Sequence, residues 1–392
     1  MIFTPKDKPF SCSWCASGEW LHSLDLPPAR GVKAKARAAI LLDATIEAAG
    51  NGRWISYSRN RNHYAMRRRY AGPEYSFSTI PSAVDALAAM DLIEHRKSRQ
   101  HFDRGKQSTF RASPVLLDAV TIPPADHRHR EPIAFKDGLG QLVDYQDTER
   151  TRRMRRDLAA INDAIGSTTA TLPAGEHHGR IIHFPNGAIV NVGRTSLHRV
   201  FNAGWTRGGR LYGHWVQNVP RAYRDLIEID GEQTAEPDFP QLHPVLLYAM
   251  IGLSPEGDAY TLDRWPRPIA KRAFNVIVNA PTYASALGAV SRDLQDRQQA
   301  AQIIMDLKER HAPIARFFHS GAGLFVQNID AKMATDVLRD LLGQNVVALP
   351  IHDSFRVQKR HEQVTREAME KALWTVKNQA QNGGLRLSGI HL

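Results

Sequence analysis

Residues 346–357, Val346-Val347-Ala348-Leu349-Pro350-Ile351-His352-Asp353-Ser354-Phe355-Arg356-Val357, read as an apolar strand of the buried type, a tight turn at His352-Asp353 and a returning strand. A charged tip in so apolar a hairpin leaves Asp353 partly desolvated. That is costly unless a cation is bound.

Working outward, residues 226–238 repeat the arrangement: a strand, an Asp230-Gly231 turn and a returning strand that ends in Asp238. Phe239-Pro240-Gln241 breaks the strand, and residues 243–250 read as an apolar helix. Asp238 is therefore expected at a strand-to-helix corner. Two aspartates on neighbouring strands suit two hard cations with oxygen ligands, Mg2+ or alternatively Mn2+, the arrangement used for in-line phosphoryl transfer. Between them, Arg267-Pro268 opens a helix through Asn279, with Pro268 in its first turn. Arg267, Lys271, Asn275 and Asn279 recur every four residues along one face, so two cations followed by two amides can meet a triphosphate, its sugar and its base. Lys271 would neutralise phosphate charge.

In this order the segments of residues 205–373 resemble the palm and fingers shared by family-A DNA polymerases and single-subunit phage-type RNA polymerases. Asp238 is similar to the aspartate of motif A, Arg267 and Lys271 to the Arg-x-x-x-Lys of motif B, and His352-Asp353 to motif C. Gly209-Arg210 and Gln217-Asn218-Val219-Pro220-Arg221 look like elements that contact the primer-template. Residues 321–338, with Gln327, look like the glycine-bearing turn and helix before motif C. The resemblance implies catalytic Asp238, Asp353 and Lys271. It also implies nucleotide contacts from Arg267, Lys271, Asn275, Asn279 and His243, and nucleic-acid contacts from Arg210, Gln217, Asn218, Arg221 and Gln327. The chain departs from the pattern in three places. Ser354 stands where the DNA enzymes have glutamate, His243 where a glutamate excludes the 2′-hydroxyl, and Asn279 where an aromatic residue ends the motif B helix. The choice of sugar is therefore open. Short spacings between the motifs imply trimmed fingers, and no set of acidic pairs suggests a proofreading exonuclease.

Towards the N-terminus, residues 35–49 form an expected helix that stops at Gly50-Asn51-Gly52. Ser78-Thr79 can cap a second, with Pro81 in its first turn and Val84, Leu87 and Met90 facing inward. Residues 92–94 and 108–111 would pair around the basic stretch 95–106. This order resembles a winged helix-turn-helix domain, which implies that Arg96, Lys97, Arg99, Arg104 and Lys106 meet duplex phosphates. Residues 123–130 read as a linker. In a helix over 147–165, Arg150, Arg152, Arg153, Arg155 and Arg156 crowd the positive end of the dipole, for which phosphate contact is the expected compensation. Residues 175–193 read as short strands and turns.

Composition bounds the reading. The 392 residues carry 51 Lys plus Arg against 40 Asp plus Glu, a net charge of +11, which favours a polyanionic partner. There is no Gly-x-x-x-x-Gly-Lys-Ser/Thr loop, which argues against an ATP-driven motor. No secretory signal is evident, and the longest apolar run, 245–253, is too short to span a bilayer, so a cytoplasmic protein with no membrane partner is expected. Cys12 and Cys15 could form half a zinc site or a redox pair, but two reduced structural cysteines are the default.

The expected fold is α+β: an N-terminal winged helix-turn-helix followed by a compact right-hand polymerase palm on an antiparallel sheet, with reduced helical fingers. The expected segments are 1–34, 35–122, a basic thumb-like region 123–200 and the catalytic part 201–392. The leading expected function is a DNA-templated polymerase for replication or priming, of the kind a mobile element encodes, that binds DNA and nucleoside triphosphates. A small single-subunit RNA polymerase is one alternative, and a non-catalytic DNA-binding replication regulator is another.

Overall fold

The computed structural model describes residues 7–16, 20, 26, 29–65, 69–98, 107–122 and 125–382. The protein is a mixed α+β chain of two compact units. Residues 1–135, 141–198 and 212–234 make the first, and residues 136–140, 199–211 and 235–392 make the second.

The first unit begins with β1 (Lys8–Pro9), β2 (Trp14–Cys15), α1 (Gly31–Ala49), β3 (Ile55–Tyr57), α2 (Arg61–Ala65) and α3 (Ile80–Ala89). β4 (Ile93–Arg96), β5 (Ser108–Ala112) and α4 (Pro114–Ala119) follow. The sheet order is β1-β3-β5-β4, with β1 parallel to β3 and the other pairs antiparallel. Ile40 and Leu41 of α1, Val84 and Leu87 of α3, and Ile55, Tyr57 and Phe110 of the sheet share one buried core. Both helices and the hairpin stand where the apolar spacing places them. Capping of α3 differs from expectation: the Thr79 hydroxyl turns back to the carbonyls of Glu74 and Ser76 and does not cap the helix. Asp43, on the buried face of α1, is the anchor for the preceding chain. It accepts from the Ser11 amide at 2.9 Å and the Trp14 indole at 3.0 Å, and pairs with Lys8. Burial raises its pKa against the pull of Lys8.

The expected linker is in part a strand. β6 (Asp126–His127) pairs antiparallel with β2, setting His127 opposite Trp14; residues 123–124 lie outside the described set. After β7 (Ile133–Lys136), α5 (Glu149–Gly166) starts with a Thr148/Thr151 capping box. Its arginines are partly balanced within the unit, contrary to the expectation of bare phosphate ligands. Arg155 pairs with Glu131 at 3.1 Å and Asp147 at 2.6 Å, and Arg156 pairs with Glu149 at 2.9 Å. β8 (Ala170–Thr171) precedes a meander of β9 (Glu176–His178), β10 (Ile181–His183) and β11 (Ile189–Asn191). β12 (His198–Asn202) and β13 (Gly208–Tyr212) follow, then β14 (Glu228–Ile229) and β15 (Glu232–Ala235). β14 and β15 are joined at Asp230-Gly231, both at positive φ, as a type I′ turn requires.

In the second unit, α6 (Leu242–Ala249), α7 (Arg267–Asn279), α8 (Tyr283–Leu294), α9 (Arg297–Arg310) and α10 (Ala322–Leu342) precede the hairpin of β16 (Leu349–Ile351) and β17 (Ser354–Gln358), and α11 (Glu362–Gln381) follows it. The hairpin register pairs Leu349 with Arg356 and Ile351 with Ser354, and His352 turns the chain at φ 59°. Buried His311 ties these helices together, its Nε2 at 2.8 Å from the Ala259 carbonyl and its Nδ1 at 3.2 Å from the Tyr248 hydroxyl.

Three histidines of the first unit are held neutral by burial. The pKa of His127 is lowered to about 2, that of His214 to about 3 and that of His129 to about 4. The unfolded chain takes up these protons near pH 6.5, so the stabilising effect is full above that pH and is lost as pH falls towards 4. Each histidine contributes up to about 1.4 kcal/mol per pH unit. Urea midpoints should fall between pH 7.5 and pH 5.0; equal midpoints would show that these rings protonate freely in the folded chain.

Candidate active site

Asp238 and the Asp353 turn are brought together by backbone pairing within the second unit. Asp238 forms an antiparallel bridge with Ser354. The Phe239 amide donates to the Asp353 carbonyl at 3.1 Å, and the Phe355 amide donates to that of Pro237 at 3.0 Å. Asp238 and Ser354 are thus a non-hydrogen-bonded pair, the closer of the two antiparallel pairings. Asp238 is exposed between buried Pro237 and Phe239, and Asp353 is half-buried. Glu236, a residue that sequence reading overlooked, accepts from the Ser354 hydroxyl at 2.8 Å and from Arg356 at 2.5 Å. Arg356 is 1% exposed, so Glu236 is the carboxylate that makes its burial tolerable.

A second ion pair lies nearby in the electrostatics. Arg210 pairs with Asp330 of α10 at 2.5 Å and meets His243 Nε2 at 2.9 Å. The Gly208-Gly209 backbone positions it. Gly209 adopts φ 87°, and a Cβ there would lie 2.7 Å from the Phe201 ring; Arg199 donates to the Gly209 carbonyl at 2.8 Å, and Asn328 to that of Gly208 at 3.0 Å. Burial raises the Asp330 pKa to about 6, opposed by Arg210 and reinforced by Asp353. Burial, with Arg210 and Lys271, lowers the His243 pKa to about 4 against Asp353. His243 is therefore neutral at pH 7, and its 4.0 Å approach to Asp330 is not an ion pair. Arg210, expected to reach nucleic acid, is turned inward onto this pair.

α7 presents the expected face. Ala270, Ala273, Phe274, Ile277 and Val278 are buried; Arg267, Lys271 and Asn279 are exposed, and Asn275 is half-buried. The Arg267 and Lys271 cations lie 5.4 Å and 5.8 Å from the Tyr260 ring, a shelf the sequence reading missed. Tyr260 is pushed up to about 12, by burial first and Asp353 second, and stays neutral. Arg267 also pairs with Asp258, which places it against protein as well as solvent. Asn279 donates to the Asn275 carbonyl at 2.8 Å, and its amide covers Gly323, where any Cβ would collide with it. Gln327 is half-buried one turn of α10 before Asp330.

Other expected contacts fall in the first unit. The Gln217 side chain accepts from the Gly213 amide at 3.0 Å, while Asn218 and Arg221 are exposed. Arg96 is stacked 3.7 Å above Trp54 and Lys97 is exposed. Arg99, Arg104 and Lys106 lie outside the described residues. Cys12 and Cys15 are free thiols, with Cys12 raised by burial, then Glu74 and Asp43.

Among the described residues, no three or more His, Cys, Asp or Glu side chains converge to hold a metal ion. An all-protein cage of the calcium or zinc kind is therefore not built from them. Mg2+ is commonly held by one or two carboxylates completed by substrate phosphates and water, and the adjacent Asp238 and Asp353 fit that donor set. No helix among the described residues is long and apolar enough to cross a membrane.

Arg210→Ala should destabilise the chain by about 3–5 kcal/mol at pH 8, because it leaves buried Asp330 without its counter-charge. The raised carboxyl pKa means that protonation relieves the defect. The gap between variant and parent in urea melts should therefore shrink as pH falls through 6; a pH-independent gap would rule out the charge explanation.

Comparison of the chain with known protein families, with curated proteins and with solved structures finds no match.

Proposed function

We propose that the protein is a DNA-templated nucleotidyltransferase of the palm-and-fingers kind, working by two-metal phosphoryl transfer. The observation that carries this reading is the antiparallel bridge that sets Asp238 beside the Asp353 turn. The cationic-to-amide face of α7 supports it. Mg2+ ions held by Asp238, Asp353 and the triphosphate would supply charge stabilisation at the transferred phosphoryl group. Lys271 then neutralises a phosphate oxygen, and Tyr260 supports the Lys271 and Arg267 side chains from below. Neutral His243, with its Nε2 facing the Arg210 guanidinium, has its remaining ring nitrogen as a donor for a substrate oxygen.

For the first unit, a winged helix-turn-helix reading is supported by the order α1-β3-α2-α3-β4-β5 and the β3-β5-β4 sheet. In that reading the unit holds duplex DNA, with Arg96 and Lys97 on phosphates. A second reading, a DNA-binding protein without catalysis, is favoured by the inward pairing of Arg210 and by Arg267 being held on Asp258.

Primed and unprimed templates, incubated with Mg2+ and labelled ribo- or deoxyribonucleotides, separate these readings. Asp238→Ala and Asp353→Ala should each abolish nucleotide addition and leave duplex binding intact, since each removes a ligand worth several kcal/mol of barrier. Lys271→Ala should slow addition and raise the nucleotide concentration required. Full activity in either aspartate variant would remove the polymerase reading, and inactivity of the parent chain on every template would favour the non-catalytic one.

Duplex binding has its own test. Replacing Arg96 and Lys97 together by alanine should flatten the log-log salt dependence of binding by about 0.9 per lost phosphate contact. Parallel salt slopes would assign the hairpin a role other than phosphate contact.

A further inference from the structure

The first unit contains a cavity of about 610 Å3 between α2 and the approach to α3, which the proposed polymerase chemistry does not use. Its walls include Tyr64, Tyr75 and Phe77, and its lining carries two arginines, Arg61 and Arg130, while the Glu74 carboxylate lies against the lining residue Gly72. Tyr64 and Tyr75 pack with ring centroids 5.0 Å apart, and both hydroxyls are engaged, Tyr64 on the Ser58 carbonyl at 2.5 Å and Tyr75 on His63 at 3.1 Å. The rings are therefore held in place before any ligand arrives. Phe77 is half-buried, and the exposed Arg61 guanidinium lies 5.5 Å from its ring centroid. Arg130 is exposed as well. The positive end of α3 opens just beyond Ser76 and Ser78, which also line the space.

Volume, walls and charge point to one ligand chemistry. A volume of this size is in the range of small-molecule sites. Aromatic walls accept a flat π-system without regard to sequence, and a nucleobase stacks on such side chains. Two guanidinium groups suit a phosphate through paired N–H donors. We propose that this cavity is a second, metal-independent nucleotide site that takes a nucleoside 5′-monophosphate, either free or as the phosphorylated end of a single DNA strand. The base packs on Phe77 and Tyr75, and the phosphate is held by Arg61 and Arg130.

The test uses the full chain in excess EDTA, so that the candidate Mg2+-dependent site does not contribute. Fluorescently labelled dAMP and a labelled 5′-phosphorylated oligodeoxythymidine are titrated separately by anisotropy. The parent chain and Asp353→Ala should bind with equal affinity. Arg61→Ala with Arg130→Ala, two exposed positions, should weaken binding by at least about tenfold. Phe77→Leu, which keeps apolar volume, should weaken the nucleotide while leaving competition by inorganic pyrophosphate unchanged. Tighter binding of the oligonucleotide than of dAMP assigns the site to a strand end, and equal binding assigns it to the free nucleotide. The proposal is overturned if the parent binds neither probe, if the double variant binds as the parent does, or if pyrophosphate competes as well as unlabelled dAMP.

Discussion

The register between residues 237–239 and 353–355 is the constraint on which the candidate site depends. Side chains alternate across a strand, so the pairing that exposes Asp238 also buries Pro237 and Phe239. A slip of one residue would drive the carboxylate into the core and put Phe239 in its place. Two interactions oppose such a slip. On the apolar side, Phe239 and Phe355 meet edge to face at 6.5 Å. On the polar side, Glu236 holds both Ser354 and the fully buried Arg356, and only this register brings its carboxylate to the guanidinium. The ion pair thus acts as a specificity device for the hairpin as much as a source of stability.

A similar division of labour holds around Arg210. Asp330 and Arg210 neutralise each other under His243, and burial keeps that imidazole uncharged. Glu236 and Arg356 likewise cancel. Among the charged residues expected at the site, Asp238, Asp353 and Lys271 are left without an ion-pair partner among the described residues. Asp353 and Lys271 both act on the His243 ring, so these charges share one neighbourhood. The surrounding pairs keep the rest of it electrically quiet.

Elements with local causes were legible in the sequence. The α7 helix follows from Pro268 and four-residue spacing, the β14–β15 turn from Asp230-Gly231, and the β16–β17 hairpin from an apolar run broken at His352-Asp353. The partners of charged side chains were not legible, because they are set by tertiary contact. Arg210 and Asp330 are 120 positions apart, and Glu236 and Arg356 likewise 120, so neither pair leaves a periodic trace. One signal for Asp330 was present: Asn328 and Asp330 interrupt an otherwise apolar buried face of α10. A buried polar residue on such a face requires a partner. Tyr260 left no signal, since a single aromatic in a loop is indistinguishable from core.

Charge counting in the first unit shows the same limit from another side. The whole chain's net charge of +11 suggests a surface of bare cations, yet in this unit Arg155, Arg156 and Arg69 are matched by Glu131, Asp147 and Glu149. At the root of the β4–β5 hairpin, Arg96 and Arg111 stack at 3.7 Å and 4.7 Å from the Trp54 ring, and Glu94 neutralises Arg111. Stacking takes up the guanidinium face and leaves its N–H edge able to donate. Arg96 is therefore a single net charge on a pre-ordered platform, and a phosphate that meets it encounters a side chain whose conformational freedom is already reduced. At this hairpin the charge that reaches solvent comes from Arg96 and Lys97, and the Trp54 ring beneath Arg96 sets its geometry.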